Sequence, residues 1–209
     1  LFVLSWNDYI QIVIAIIVII DPLGAIPIFI SLTAGESASE RRRTVYVASV
    51  SVAIILVVSC LIGGWILRLF GISIASFRIG GGILLLLMSI AMMNAKLSPA
   101  KRTESEAEEA QGKGNIAVVP LAIPLLAGPG AISLVIIYAH GTTGIVDTAF
   151  LILSCVIAGA VTWGALRLAM PISRLLGQTG INIATRIMGL ILAAISIEFI
   201  ASGYKVLFR

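Results

Sequence analysis

Charged residues are scarce in this chain. Asp, Glu, Lys and Arg make up 11% of its 209 residues, against about a quarter in a soluble domain. A soluble core of this size cannot hide so much apolar surface from water, so a soluble globular fold is excluded. Cysteine is nearly absent. Cys60 and Cys155 are single, lie inside apolar runs and lack disulfide or metal spacing, so they read as small packing residues. Metal-ligand clusters and nucleotide-binding loops are missing, and no Gly-x-Ser-x-Gly elbow falls within an apolar run. Nothing before Arg41 is basic, and no small-residue cleavage site follows the first apolar run, which argues against a cleavable signal peptide.

What the chain does have is hydrocarbon. Hydrophobic residues are 59% of it, and its mean hydropathy is +1.12. A helix needs about 20 apolar residues to cross a bilayer. Six runs qualify, at 8–33, 44–69, 73–95, 116–139, 146–170 and 184–207. Continuous stretches such as "ILLLLMSIAMM" (Ile83–Met93) argue against a β-barrel, whose strands alternate.

The basic residues divide unevenly between the two sides of such a bundle. One side holds ten: Arg41, Arg42, Arg43, Lys96, Lys101, Arg102, Lys113, Arg167, Arg174 and Arg186. The other holds four: Arg68, Arg78, Lys205 and Arg209. The positive-inside rule then predicts a multi-pass protein of the cell (inner) membrane, with the first, third and fifth loops cytoplasmic and both termini outside. The net charge of +4 reads as this topology signal and predicts no nucleic-acid partner.

The only long hydrophilic stretch, "KLSPAKRTESEAEEAQGKGN" (Lys96–Asn115), reads as a solvated cytoplasmic connector near the midpoint. It divides a single membrane domain, 1–209, into candidate repeats 1–95 and 116–209. "GISIASFRIGGGIL" (Gly71–Leu84) aligns with "GINIATRIMGLIL" (Gly180–Leu192) at nine identical positions of thirteen, with Phe77 skipped. "DPLGAI" (Asp21–Ile26) aligns with "GPGAI" (Gly128–Ile132), and both matches share an offset of 107–109 residues. Three spans per half make the copies enter from opposite sides. The expected fold is therefore all-α: six transmembrane helices as two inverted-topology three-helix repeats, the first helix of each broken near mid-membrane.

Five of the seven prolines fall in those two first helices: Pro22, Pro27, Pro120, Pro124 and Pro129. Pro99 and Pro171 read as loop residues. An interior proline costs a helix about 3 kcal/mol or more, and in lipid a break survives only against protein or a wet cavity. After each break the helix can restart, with Asp21 as N-cap before Pro22 and Gly128 before Pro129. Unpaired N–H groups at each restart would suit the carboxylate of a zwitterionic amino acid, and Asp21 or the opposing carbonyl ends its ammonium.

Candidate substrate-binding residues are thus Asp21, Pro22, Gly24, Ala25, Gly128, Pro129, Gly130, Ala131 and Ser133, with hydroxyls from Ser31 and Thr33 nearby. Asp21 and Glu198 are the acids deep inside spans and the candidate coupling-ion residues. Each has a plainer reading: Asp21 as a cap, the glycines as packing contacts, Glu198 as a bonded or hydrated acid near the outer face. His140 and Asp147, at the loop between the fourth and fifth spans, are explained by interfacial solvation.

"DPLGAIPIFISLT", "VVPLAIPLLAGPGAIS" and "TGINIATRIMGLILAAISIEFI" together resemble the MarC family of bacterial and archaeal membrane proteins, over nearly the whole chain. The resemblance implies a six-helix cell-membrane protein and, through the SnatA-type members, a transporter of small neutral amino acids such as glycine and alanine. The expected function is secondary transport of that class coupled to H⁺ or Na⁺, with no other cofactor and no metal. The expected partners are a small-molecule substrate and membrane lipid, with the oligomeric state open. An exporter or channel for another small metabolite is the alternative. An intramembrane enzyme is disfavoured, since aspartyl chemistry needs two acids sharing a site.

Overall fold

The computed structural model describes residues 6–94, 126–142 and 144–208, and these form seven helices. They are α1 (Trp6–Ile20), α2 (Ile26–Leu32), α3 (Ala38–Leu69), α4 (Ile74–Met93), α5 (Pro129–Gly141), α6 (Ile145–Arg167) and α7 (Ala169–Leu207).

Local chemistry accounts for most of their ends. A capping box opens α3: Ser37 Oγ accepts from the Glu40 N–H at 3.3 Å, and the Glu40 carboxylate accepts from the Ser37 N–H at 2.8 Å. Ser73 caps α4, accepting from the Ser76 N–H at 3.1 Å. In α5, Gly128 is the N-cap and Pro129 sits in the first turn, where proline's missing N–H costs nothing. α1 ends at Ile20 because Asp21 precedes a proline, which disfavours the helical region for it. Asp21 adopts φ 48° instead, a left-handed conformation that Asp tolerates better than most residues. α7 bends at Gly177, whose φ of 59° and ψ of −179° separate two helical stretches. Pro171, expected in a loop, lies in the first turn of α7.

Four helices, α3, α4, α6 and α7, are long and apolar enough to cross a membrane. This corrects the expectation of six. At 1.5 Å per residue the 15 residues of α1 cover about 22 Å and the 13 of α5 about 20 Å, short of a hydrocarbon layer roughly 30 Å thick. The run 8–33 is cut at Asp21. The run 116–139 is helical from Pro129, and its first ten residues lie outside the described ones, as do Pro120, Pro124 and the connector 96–115.

The two inverted three-helix repeats fall with the count of spans. Before the connector there are four helices, two of them long enough to cross; after it the described residues hold three, again with two. Hydropathy summed along a run does not register where the backbone breaks, which is why the sequence pattern overcounted.

The most extensive helix pairing joins α4 to α7. Gly82 meets the Ser196 carbonyl and Ile200, Gly189 meets the Ser89 carbonyl and Met92, and Gly203 meets the Ala75 carbonyl and Ile79. Residue numbers rise on one helix as they fall on the other, so the pair is antiparallel, with small residues letting the backbones approach. α1 is central. Ile16, Ile19 and Ile20 are fully buried, and α1 packs on α5, α6 and α7. Outward-facing side chains are apolar, among them Leu61, Leu87, Ile187 and Leu190. At most 39% of the most apolar stretch of any crossing helix is buried within the protein, and lipid must cover the rest.

Candidate binding site at the helix break

The turn after α1 brings together most of the chemistry in the bundle. Asp21 is buried, with 3% of its surface exposed. Its Oδ1 accepts from the Gly24 N–H at 3.1 Å, and its carbonyl accepts from the Ala25 N–H at 3.2 Å. Asp21 therefore caps the turn through Pro22 and Gly24 and not the helix itself: α2 begins at Ile26 with Ala25 as its N-cap, which corrects the expected restart with Asp21 as N-cap and Pro22 in the first position. Oδ2 of Asp21 lies against the side-chain position of Gly24, where a Cβ would collide with it. Pro22 and Ala25 are buried beside it.

Two further elements close around this turn. Gly130, in the first turn of α5, packs on Ile19 of α1 and on Leu85 and Met88 of α4. Gly130 thus meets α1 at Ile19, two residues before Asp21. Gly128, Gly130 and Ala131 are buried and Pro129 is exposed. Gly128 offers no side-chain cap, and the first N–H bonded within α5 is that of Ile132, to the Gly128 carbonyl at 3.1 Å. The Gly130 and Ala131 N–H groups precede it and have no partner within the helix. On the other flank Thr185 of α7 reaches Gly24, its Oγ1 being 2.9 Å from where a Cβ on Gly24 would stand. The sequence reading missed Thr185. It sits in the "GINIATRIMG" match, but no local signal distinguishes its hydroxyl from other helix hydroxyls.

Other expected residues lie elsewhere. Ser133 is buried but faces Gly81 of α4, one turn further along α5. Thr33 donates to the Phe29 carbonyl at 2.8 Å, and Ser31 is exposed. Glu198 is exposed on α7, thirteen residues beyond Thr185 and so about 20 Å further along the helix axis. Asp21 and Glu198 are not brought together. Asp147, expected at a solvated interface, is buried, and its Oδ1 accepts from the Tyr9 hydroxyl at 2.7 Å. Tyr9 stacks on Phe150 at 4.3 Å, and Trp6 meets Phe150 edge-on at 5.9 Å. This aromatic cluster ties the start of α1 to the start of α6, in keeping with the aromatic belts of membrane interfaces.

A cavity of about 380 Å³ opens at the far end of α3 and α5, lined by Cys60, Trp65, Arg68, His140 and Thr142. Its His140 edge is about 15 Å along α5 from Gly130, so it is separate from the Asp21 turn. Among the described residues no cluster of His, Cys, Asp and Glu could hold a metal ion.

The family profile described as "MarC family integral membrane protein" matches residues 6–208. The chain belongs to the MarC family. A "UPF0056 membrane protein YhcE" from Escherichia coli is 44% identical over 200 residues, covering 96% of this chain and 93% of its own length. A "UPF0056 membrane protein" from Aquifex aeolicus is 32% identical over 212 residues and covers 99% of each. Another, from Pyrococcus horikoshii, is 39% identical over 188 residues, covering 90% of this chain and 89% of that one. No solved structure matches. MarC membership makes the chain a multi-pass integral membrane protein, in accord with its four crossing helices and lipid-facing surface.

Proposed function

We propose that this MarC-family chain is a secondary transporter of small neutral amino acids, of the glycine, alanine and serine class, driven by H⁺ or Na⁺. One observation carries the reading. A buried acid, Asp21, stands at a helix break inside the bundle, and the N-terminal turn of a second short helix packs on Ile19, two residues before it. An ionisable group there is costly to keep unless it serves a function. The pairing also suits a zwitterion, with its ammonium at the Asp21 carboxylate and its carboxylate at the Gly130 and Ala131 N–H groups. The small residues Gly24, Ala25 and Ala131 let the backbones around the break approach closely, which favours a substrate with a small side chain.

The basic-residue count supports the orientation with the connector 96–115 in the cytoplasm of the cell (inner) membrane and both termini outside. The test is transport by purified protein in proteoliposomes. Labelled glycine or alanine should accumulate or exchange under an H⁺ or Na⁺ gradient, saturably. Absence of uptake and exchange under both gradients would sink the reading. Flux without saturation or counter-exchange would favour a channel, and selective movement of an unrelated metabolite would favour an exporter of that compound.

A further inference from the structure

Hydroxyls on apolar helices usually turn back on their own helix and donate to a carbonyl one turn earlier. Thr33, Ser59, Ser154 and Thr162 all do so, at 2.7–2.8 Å. Thr185 does not. Its Oγ1 is buried and has no hydrogen-bond partner among the described residues. The hydroxyl faces out of α7 toward the turn after α1, 2.9 Å from where a Cβ on Gly24 would stand. Asp21 Oδ2 borders the same position. A hydroxyl from α7 and a carboxylate oxygen from the turn after α1 thus converge beside Gly24, and the hydroxyl is left unpaired there. Buried polar groups are rarely left so without a use.

We propose that Thr185, together with Asp21, holds the ammonium group of the substrate, the absent side chain of Gly24 letting the hydroxyl and the carboxylate approach each other. This deepens the amino-acid reading above and rests on it. A primary ammonium has three N–H donors. Asp21 Oδ2 takes one and neutralises the charge, and Thr185 Oγ1 takes a second through a lone pair. Thr185 remains free to donate its own proton to a substrate carboxylate oxygen. Each N-methyl group removes a donor and adds bulk beside Gly24. The site therefore selects primary amines, ranking glycine above N-methylglycine and N-methylglycine above N,N-dimethylglycine.

The test compares the wild type with Thr185→Val, which keeps the shape and loses the hydroxyl, and Thr185→Ser, which keeps the hydroxyl. Labelled glycine uptake into proteoliposomes is measured with the two methylated glycines as competitors, and melting temperatures are taken in detergent. In Thr185→Val the KM for glycine should rise about tenfold or more, the loss of a hydrogen bond to a charged group. Its maximal rate should change far less, and its preference for glycine over the methylated forms should shrink. Thr185→Ser should behave as wild type. Wild-type KM and selectivity in Thr185→Val would overturn the proposal. So would equal impairment of both variants, a loss that merely tracks a lowered melting temperature, or a change confined to Na⁺ dependence. A wild type that moves no amino acid would instead overturn the transport reading, and this assignment with it.

Discussion

Replacing Asp21 in turn by alanine, asparagine and glycine separates its structural work from its charge. Alanine loses the cap on the Gly24 N–H, worth about 1 kcal/mol. It must also hold φ 48°, which costs a residue without a local side-chain bond about 1 kcal/mol. The sum, about 2 kcal/mol, lowers the melting temperature by about 4–8 °C for a chain of this size. Glycine relieves the backbone but forfeits the cap, so it should fall between alanine and wild type. Asparagine keeps the acceptor oxygen and tolerates the left-handed region, so it should melt close to wild type. It does not keep the negative charge. If Asp21 meets an ammonium, the loss of that charged contact is about 1.5–3 kcal/mol, or about 10- to 100-fold in glycine KM. The measurements are melting in detergent and uptake into proteoliposomes, on the same preparations. Asparagine melting with alanine would refute the capping account. Asparagine transporting with wild-type KM would refute the electrostatic one.

Gly24→Ala should abolish uptake, because its Cβ would collide with the Asp21 carboxylate and the Thr185 hydroxyl; a melting temperature lowered by the equivalent of about 1–3 kcal/mol should accompany it. Gly82→Val places a Cβ 2.9 Å from the Ser196 carbonyl and should force α4 and α7 apart, with a loss of about 1–3 kcal/mol read as reduced yield and melting temperature. Wild-type melting there would show the two helices are not packed as described. Tyr9→Phe preserves the stacking on Phe150 but removes a hydrogen bond to the buried Asp147. It should cost about 1–3 kcal/mol, whereas removal of a solvated contact would leave melting unchanged.

The part of this protein that is local was legible in its amino-acid order. Composition demanded lipid, and Asp21-Pro22 announced the end of α1 and Gly128-Pro129 the start of α5, because proline acts on its immediate neighbours. The caps at Ser37 and Ser73 follow from the same short-range chemistry. What hydropathy could not register is that the break at Asp21 divides the run 8–33 into two short helices, and among the described residues four helices are long and apolar enough to cross. The division into inverted three-helix repeats was an inference from six spans and fell with that count. The faces of the helices were also beyond its reach. Glu198 looked deep in the sequence yet lies exposed on α7, and Asp147 looked solvated yet is buried against Tyr9. Thr185 carries no mark of its own among many helix hydroxyls. Its meaning depends on a rotamer and on the rotation of α7 about its axis, which place it against Gly24 across 161 residues of chain. Such choices are made by packing between distant segments, and no window along the sequence contains both sides of them.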